Sequence, residues 1–547
     1  MSFESQFIGL MAIAVLVAIS ARRLRVPHTI AMMLTGLGAG MLRLGPELTD
    51  ISLDPHLILV TFLPGLLFEA AYHLDLRELR DNLRTILMLA VPGVLLSMFV
   101  IGVLLNQILG IRLVEALLFG ILISATDPIA VTALFRELGV SKRLSIIVEG
   151  ESLFNDGAAI VLYSILLGVA TGDQAFSLAG SITNFFATVA GGAVLGLVAG
   201  LIVGEMMRRT EDHLIDIALT TILAYGTYLV AEELLHGAVS PVIAVVVAAI
   251  YVGNYGSNGG YSATSTVTIV SFWEFVAFLI NSAIFLLIGL DVAPADLLKN
   301  IKPVMIGVGV ILLARALVVY PLGFLVNWRV RKMPIEWAHV LFWGGLRGAV
   351  SVALILSLPA PLEVSQPLES RLILEEMAYG YILFSLIVQG LTIRPLLGRL
   401  GLTHVGAQER EYERRQARMV MAHAAMHAID NLHEQNILSG PVCDNLRATF
   451  KQQFNEHWSA LEKIVAAEPR VIDTNFRYMQ REIAGAQKQS LLQMMRRGTL
   501  SEDVYSELVR EVDEQIQRSY QEGWRPPFAF VISPQAPPLD EQNEPPE

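Results

Sequence analysis

The sequence predicts an all-α polytopic membrane protein with about thirteen transmembrane helices and a helical cytoplasmic tail. Three observations predict it. Of the 547 residues, 54% are hydrophobic and only 16% are charged, whereas a soluble domain carries roughly 25% charge. The apolar residues fall in long blocks, many near the ~20 residues that span hydrocarbon. Lysine and arginine concentrate in alternate connections between those blocks, as the positive-inside rule requires. The net charge of −12 sits partly in the tail and partly in outward loops, so it implies no nucleic-acid partner. Cys443 is the only cysteine, which excludes an intrachain disulfide.

The blocks lie at 7–21, 28–44, 57–74, 85–109, 113–137, 144–170, 180–207, 212–234, 238–254, 266–290, 303–328, 335–358 and 372–400. The first carries Glu4 where a secretory signal has its basic region, so it reads as a retained span. Arg22, Arg23 and Arg25 follow the first span, Arg77, Arg80 and Arg84 the third, and Arg136, Lys142 and Arg143 the fifth. Arg208 and Arg209 follow the seventh, and Arg329, Arg331 and Lys332 the eleventh. Only Arg43, Arg112, Lys299, Lys302 and Arg371 lie in the even-numbered connections. The asymmetry places the N-terminus outside and the tail in the cytoplasm. The ninth connection, NYGSNGGYS, has no cation and contributes nothing.

With thirteen spans, the seventh can link two groups of six. Two groups of inverted topology with broken helices meeting at mid-bilayer are a recurrent transporter plan. ISATDPIAV interrupts span five and WGGLRGAVS interrupts span twelve, the fifth members of the two groups. The expected architecture is therefore two inverted repeats with crossed broken helices at spans 5 and 12.

Charged residues in these spans are the main functional signal. Asp156 in EGESLFNDGAAIVLY, Asp127 in ATDP and Arg347 in GGLRGAVS each fall within a few residues of a span midpoint. At ~1.5 Å per residue, all three lie near one plane. A charge at that depth costs about 2.5–3.5 kcal/mol on insertion scales, so it persists where it faces protein and has a task. Arg347 pairing with one carboxylate to hold helices together would account for Arg347 and Asp127. It leaves Asp156 over, because one arginine cannot neutralise every acid at this depth.

Pro128 lacks an N–H, so the Ser124 carbonyl loses its helical partner, and Asp127 is pushed from helical geometry. Carbonyls of 124–126 should be freed beside the Thr126 hydroxyl, where backbone is tolerated only inside protein or along a cavity. A proline kink made for packing is the plainer alternative. Ser152 and Asp156 are four apart and share a helical face, with Glu151 and Asn155 on the neighbouring stripe. Carboxylate, hydroxyl and carbonyl oxygens suit a hard cation. Glu149, nearer the cytoplasmic end, fits an ion pair with Lys142 or Arg143 somewhat better than a place in an access funnel.

GESLFNDG, with ATDP on the preceding span, FEAA on span three and GGLRGAVS on span twelve, resembles the NhaP/NHE branch of monovalent cation–proton antiporters. The resemblance covers about residues 1–400 and rests on four motifs in order, although Ala70 stands where glycine is common. It implies that Asp156 carries both proton and cation, that Thr126 and Ser152 help bind the ion, and that Glu151 reaches it directly or through water. Asp127 becomes the acid of the helix break, and Glu69 and Arg347 hold Asn155 in place, with Glu69 the expected partner of Arg347 and Asn155 bridging them. It further implies a mobile core, a scaffold that forms a homodimer, a cell-membrane location, and no cofactor beyond the transported Na⁺ and H⁺.

Exchange needs one group that cannot hold proton and cation together. Desolvation disfavours a charged carboxylate and a nearby cation favours it, so Na⁺ and H⁺ are expected to compete at Asp156. Asn155 cannot titrate, and one carboxylate suggests electroneutral one-for-one exchange. K⁺/H⁺ exchange on the same scaffold would use the same ligand types. An intramembrane aspartyl protease using Asp127 and Asp156 is a remote alternative, because their Thr-Asp-Pro and Asn-Asp-Gly settings are not those of such enzymes. A channel is disfavoured by the lack of repeated filter carbonyls.

The domain plan is a transmembrane unit over 1–400, a cytoplasmic helical unit over 401–523, and a proline-rich, disordered end over 524–547. His423 and His427 are four apart, the spacing of a metal or pH site, but a solvated helix face is much the better reading of them. No glycine-rich nucleotide fingerprint occurs in the tail.

Overall fold

The computed structural model describes residues 3–24, 26–42, 55–171, 177–210, 212–255, 263–292, 294–329, 333–359, 370–402, 407–434 and 439–467, with a few between 491 and 508. The chain divides into two compact units, Met1–His404 and Val405–Glu547. The first is a helical bundle. Its elements are α1 (Phe3–Leu24), α2 (His28–Met41), α3 (Leu57–Tyr72), α4 (Leu76–Leu109), α5a (Leu113–Leu122), α5b (Ile129–Leu138), α6 (Lys142–Ala170) and α7 (Leu178–Arg209). After them come α8 (His213–Leu234), α9 (Pro241–Tyr255), α10 (Ala263–Asp291), α11 (Ile301–Arg329), α12a (Ile335–Trp343), α12b (Ala349–Leu356) and α13 (Arg371–Arg399). Each expected span has a helical counterpart, and spans five and twelve are the broken ones.

Helix ends are capped where the chain turns. Asp75 accepts hydrogen bonds from the N–H groups of Arg77 (2.8 Å) and Glu78 (3.3 Å) at the start of α4. Asp212 does the same for Leu214 at the start of α8 (2.8 Å). Between the caps the backbone satisfies itself, as hydrocarbon demands. Phe99, Phe186 and Phe324 are more than half exposed on the outside of the bundle, as lipid-facing side chains are.

Packing sorts the helices into two groups. One contains α4, α5, α6, α11, α12 and α13; the other contains α1, α2, α3, α7, α8, α9 and α10. Within the second group α7 lies on α9 through Gly192, Gly196 and Gly200. A Cβ at Gly196 would stand 2.1 Å from the Ala244 carbonyl oxygen, so the approach requires glycine. The small-residue run at Gly191–Gly200 is thus a close-packed face.

Polar links between the groups are sparse. Tyr379 on α13 donates to Asp291 Oδ2 on α10 (2.5 Å). Asn254 on α9 holds the α3–α4 connection: its Oδ1 accepts from Leu76 N–H (2.6 Å) and its Nδ2 donates to the Leu74 carbonyl (2.8 Å).

In the second unit α14 (Ala407–Glu434) packs along α15 (Gly440–Ala467), burying Ala422, Ile429, Cys443 and Leu461. His423 is exposed, its ring 6.2 Å from Phe454, and the side chain of His427 lies outside the described residues. The proline-rich end, 524–547, also lies outside them.

Asn254→Ala should lower thermal stability by about 1–2 kcal/mol, since it strips two backbone groups of a partner. Asn254→Asp keeps the acceptor for Leu76 and should lose less. Equal losses in detergent-solubilised melting would contradict this account of the connection.

Candidate functional site

The site is built where the two broken helices cross. Residues 123–128 separate α5a from α5b, and residues 344–348 separate α12a from α12b. The Asp127 N–H donates to the Leu346 carbonyl (2.9 Å), and Ser351 Oγ donates to the Ala125 carbonyl (3.1 Å). A Cβ at Gly348 would lie 2.3 Å from Asp127 Oδ2, so the crossing requires glycine there. Asp127 Oδ1 accepts from the Ile129 N–H (2.9 Å), capping α5b. The same carboxylate stands against Gly348 at the start of α12b, so it faces the positive ends of two half-helices.

The carbonyl ends of the other two half-helices meet arginines. Arg315, on α11, donates to the Leu341 carbonyl (2.8 and 3.1 Å) and the Phe342 carbonyl (3.2 Å) at the end of α12a. Arg347 Nη1 donates to the Ser124 carbonyl after α5a (3.5 Å), and its guanidinium lies over the Tyr381 ring at 5.5 Å. Arg347 is 2% exposed.

This corrects the expectation that the carbonyls of 124–126 stand open to an ion. Ser124 O is taken by Asn155 Nδ2 (2.9 Å) as well as by Arg347, Ala125 O by Ser351, and Thr126 O by Ser152 Oγ. A bare carbonyl at this depth is costly, so side chains fill the gap that Pro128 opens. Asn155 and Arg347 therefore meet through a shared acceptor.

Thr126 Oγ1 is 3.3 Å from Ser152 Oγ, 3.3 Å from Asn155 Nδ2 and 3.5 Å from Glu151 Oε2. Ser152, Asn155, Thr126 and Glu151 are all buried. Two oxygens here, Asn155 Oδ1 and Asp156 Oδ1, are enclosed with no hydrogen-bond partner among the described residues. Asp156, Ser152, Thr126 and Asp127 line a cavity of about 160 Å³, which also reaches Glu69, His73, Glu149 and Arg136. Arg136 and Glu149 form an ion pair (3.7 Å), with Arg136 62% exposed, so the mouth is on the arginine-rich face.

Three expected contacts differ. Glu69 pairs with His73 (3.5 Å) and not with Arg347, because it lies on α3 beside the cavity mouth while Arg347 is drawn to the Ser124 carbonyl. Glu149 pairs with Arg136. Lys142 turns to Glu78 (3.4 Å) and Asp75 (4.0 Å), and Arg143 to Asn82 (2.9 Å). Glu151 does not line the Asp156 cavity. With Arg315 it borders two voids of about 20 and about 10 Å³ on the other side of Thr126, each large enough for one water. Arg315, Ser351, His73 and Arg136 were not singled out as site residues from sequence. Arg315 had a signal: it is a lone charge in ILLARALVV.

Residues 10–399 match the family described as "Sodium/hydrogen exchanger, transmembrane". The chain belongs to the sodium/hydrogen exchanger family. Among relatives of this exchanger, the Na(+)/H(+) antiporter ApNhaP of Aphanothece halophytica is 40% identical over 404 residues, 74% of this chain and 75% of the relative. The Na(+)/H(+) antiporter NhaG of Bacillus atrophaeus is 33% identical over 528 residues, 94% and 97% of the two chains. The exchanger fold is similar to that of the sodium proton antiporter MjNhaP1 from Methanocaldococcus jannaschii, with a TM-score of 0.61 at 22% identity over 72% of this chain and 97% of that one.

Arg315→Met and Arg347→Ala should each lower thermal stability by about 1–3 kcal/mol per carbonyl stripped of its donor. The ion preference of the surviving exchanger should stay as it is. Wild-type melting with an altered order among Na⁺, Li⁺ and K⁺ would contradict this structural role.

Proposed function

We propose that this exchanger moves Na⁺, or Li⁺, against H⁺ by alternating access, with Asp156 as the single site that both occupy. The observation that carries the proposal is Asp156 itself: its enclosed Oδ1 has no partner among the described residues, and the residue lines a cavity reaching the arginine-rich face. Ser152 and Thr126 line the same cavity and supply neutral oxygens to the ion. Glu151 acts from behind Thr126, and Asn155, Asp127, Glu69 and Arg347 shape the surroundings. The naming of relatives as Na(+)/H(+) antiporters supports sodium as the cation. K⁺/H⁺ exchange remains the second reading, since the oxygen ligands are of the same type. None of the relatives named above supports a protease.

The coupling follows from charge. Asp156 holding either guest is neutral and can cross between faces. Empty, it carries an uncompensated negative charge, and the desolvation penalty holds it back. One carboxylate and a non-titrating Asn155 give electroneutral one-for-one exchange. The positive-inside asymmetry places the arginine-rich face and the tail in the cytoplasm of a cell-membrane protein, which makes this conformation inward-open. The first helical group, which carries Asp156, is the mobile core, and the second is the scaffold of a homodimer. Spans 1–6 and 8–13 stand as inverted repeats about α7. The unit over 1–400 transports, and the helical tail over 401–523 regulates or assembles it.

Asp156→Asn should abolish cation-driven proton flux in proteoliposomes while leaving melting within a few degrees of wild type. Robust exchange by that variant would remove Asp156 from its role. Because the guests compete, the KM for Na⁺ should rise in proportion to proton concentration at acid pH and level off at alkaline pH. A KM independent of pH would contradict competition.

A further inference from the structure

We propose that Asn281, on α10, is a further cation-recognition residue, meeting the ion at Asp156 from the opposite wall of the cavity and only while the cavity opens to the arginine-rich face. The inference rests on Asp156 being the carrier and extends that reading to the other helical group.

Asn281 is 6% exposed and lines the same cavity as Asp156. No described residue offers its amide a hydrogen bond. The polar groups near it on α10 are occupied otherwise. Ser282 Oγ donates to the Phe278 carbonyl (2.6 Å) and stands 3.3 Å from His28 Nε2, and Trp273 Nε1 donates to Thr220 Oγ1 on α8 (3.1 Å). Those contacts hold the second group together, whereas Asn281 contributes none. A buried amide without a protein partner is costly unless water or a ligand satisfies it, and here the space beside it is the ion cavity.

Depth agrees. Asn281 lies four residues past the centre of α10, about 6 Å at the helical rise, and Asp156 is at the centre of α6. The pair therefore belongs to the inner end of a cavity whose mouth is at Arg136 and Glu149. An amide presents a carbonyl oxygen to a hard cation or its hydration water and N–H donors to a carboxylate. It adds recognition without adding charge, so the one-for-one count is untouched. Asn155 does not serve in this way, because it borders the small void beside Arg315 and not this cavity.

The two groups assign a sidedness to the contact. Asp156 travels with the first group and Asn281 stays with the second, so the amide assists binding from one face alone. Membrane vesicles of both orientations, carrying the full chain, separate the faces. With Na⁺ as the probe, Asn281→Leu should raise KM about two- to tenfold from the face bearing Arg136, the range one lost hydrogen bond gives. From the other face KM should match wild type. Asn281→Ser, which keeps a shorter oxygen, should shift the first KM less. Asn281→Asp, which adds charge, should lower it, and these two polar variants carry the test if leucine prevents assembly. KM unchanged on both faces, or shifted equally on both, overturns the proposal. Either result with exchange still lost in Asp156→Asn sinks the role of Asn281 and leaves the carrier standing, whereas exchange surviving Asp156→Asn sinks the carrier itself.

Discussion

A backbone carbonyl cannot be left bare at the depth of a membrane's centre, and the site is organised around meeting that requirement. Breaking span five beside Pro128 exposes the carbonyls of Ser124, Ala125 and Thr126. Asn155, Arg347, Ser351 and Ser152 fill them. The second break is met in the same way, by Arg315 at the end of α12a and by Asp127 against the start of α12b. The crossing thus consumes most of the polar side chains that surround it. Asp156 is left unspent: its enclosed Oδ1 has no partner among the described residues, and the residue lines the cavity. The carboxylate proposed for transport is one the crossing does not use.

The same accounting separates two kinds of buried charge. Asp127, Arg315 and Arg347 each face the end of a half-helix, where a fixed partial charge of opposite sign stabilises them. These groups are met by the fold itself. Asp156 sits in the middle of an unbroken helix, with no helix end to compensate it. In the proposed exchange its charge is met by a proton or cation that arrives from outside.

Much of this was legible in the sequence. The apolar blocks gave the spans, because in lipid only helices satisfy their own backbone. Pro128 and the glycines around Arg347 gave the two breaks, and the spacing of Ser152 and Asp156 gave the shared face. Partner choice was not legible. Glu69 was expected on Arg347, yet a sequence carries no record of which buried donor reaches a freed carbonyl first. Arg347 went to Ser124 O, and Glu69 to His73. Glu149 likewise met Arg136 across the turn from α5b rather than the cations next to it in sequence. Arg315 was readable as a lone charge in an apolar span, but its target, the end of α12a, becomes visible only in three dimensions. Glu151, one residue from Ser152, lies on the far side of Thr126, since adjacent helical residues point about 100° apart.

The most direct test is to count protons when the ion binds at equilibrium, without transport. Calorimetric titration of the purified exchanger with Na⁺, repeated in buffers of different ionisation enthalpy, gives that number. If one carboxylate holds either guest but never both, binding at acid pH releases about one proton per ion, and the release falls away as the pH rises past the point where Asp156 is already ionised. Sodium binding that releases no protons at any pH would contradict the account.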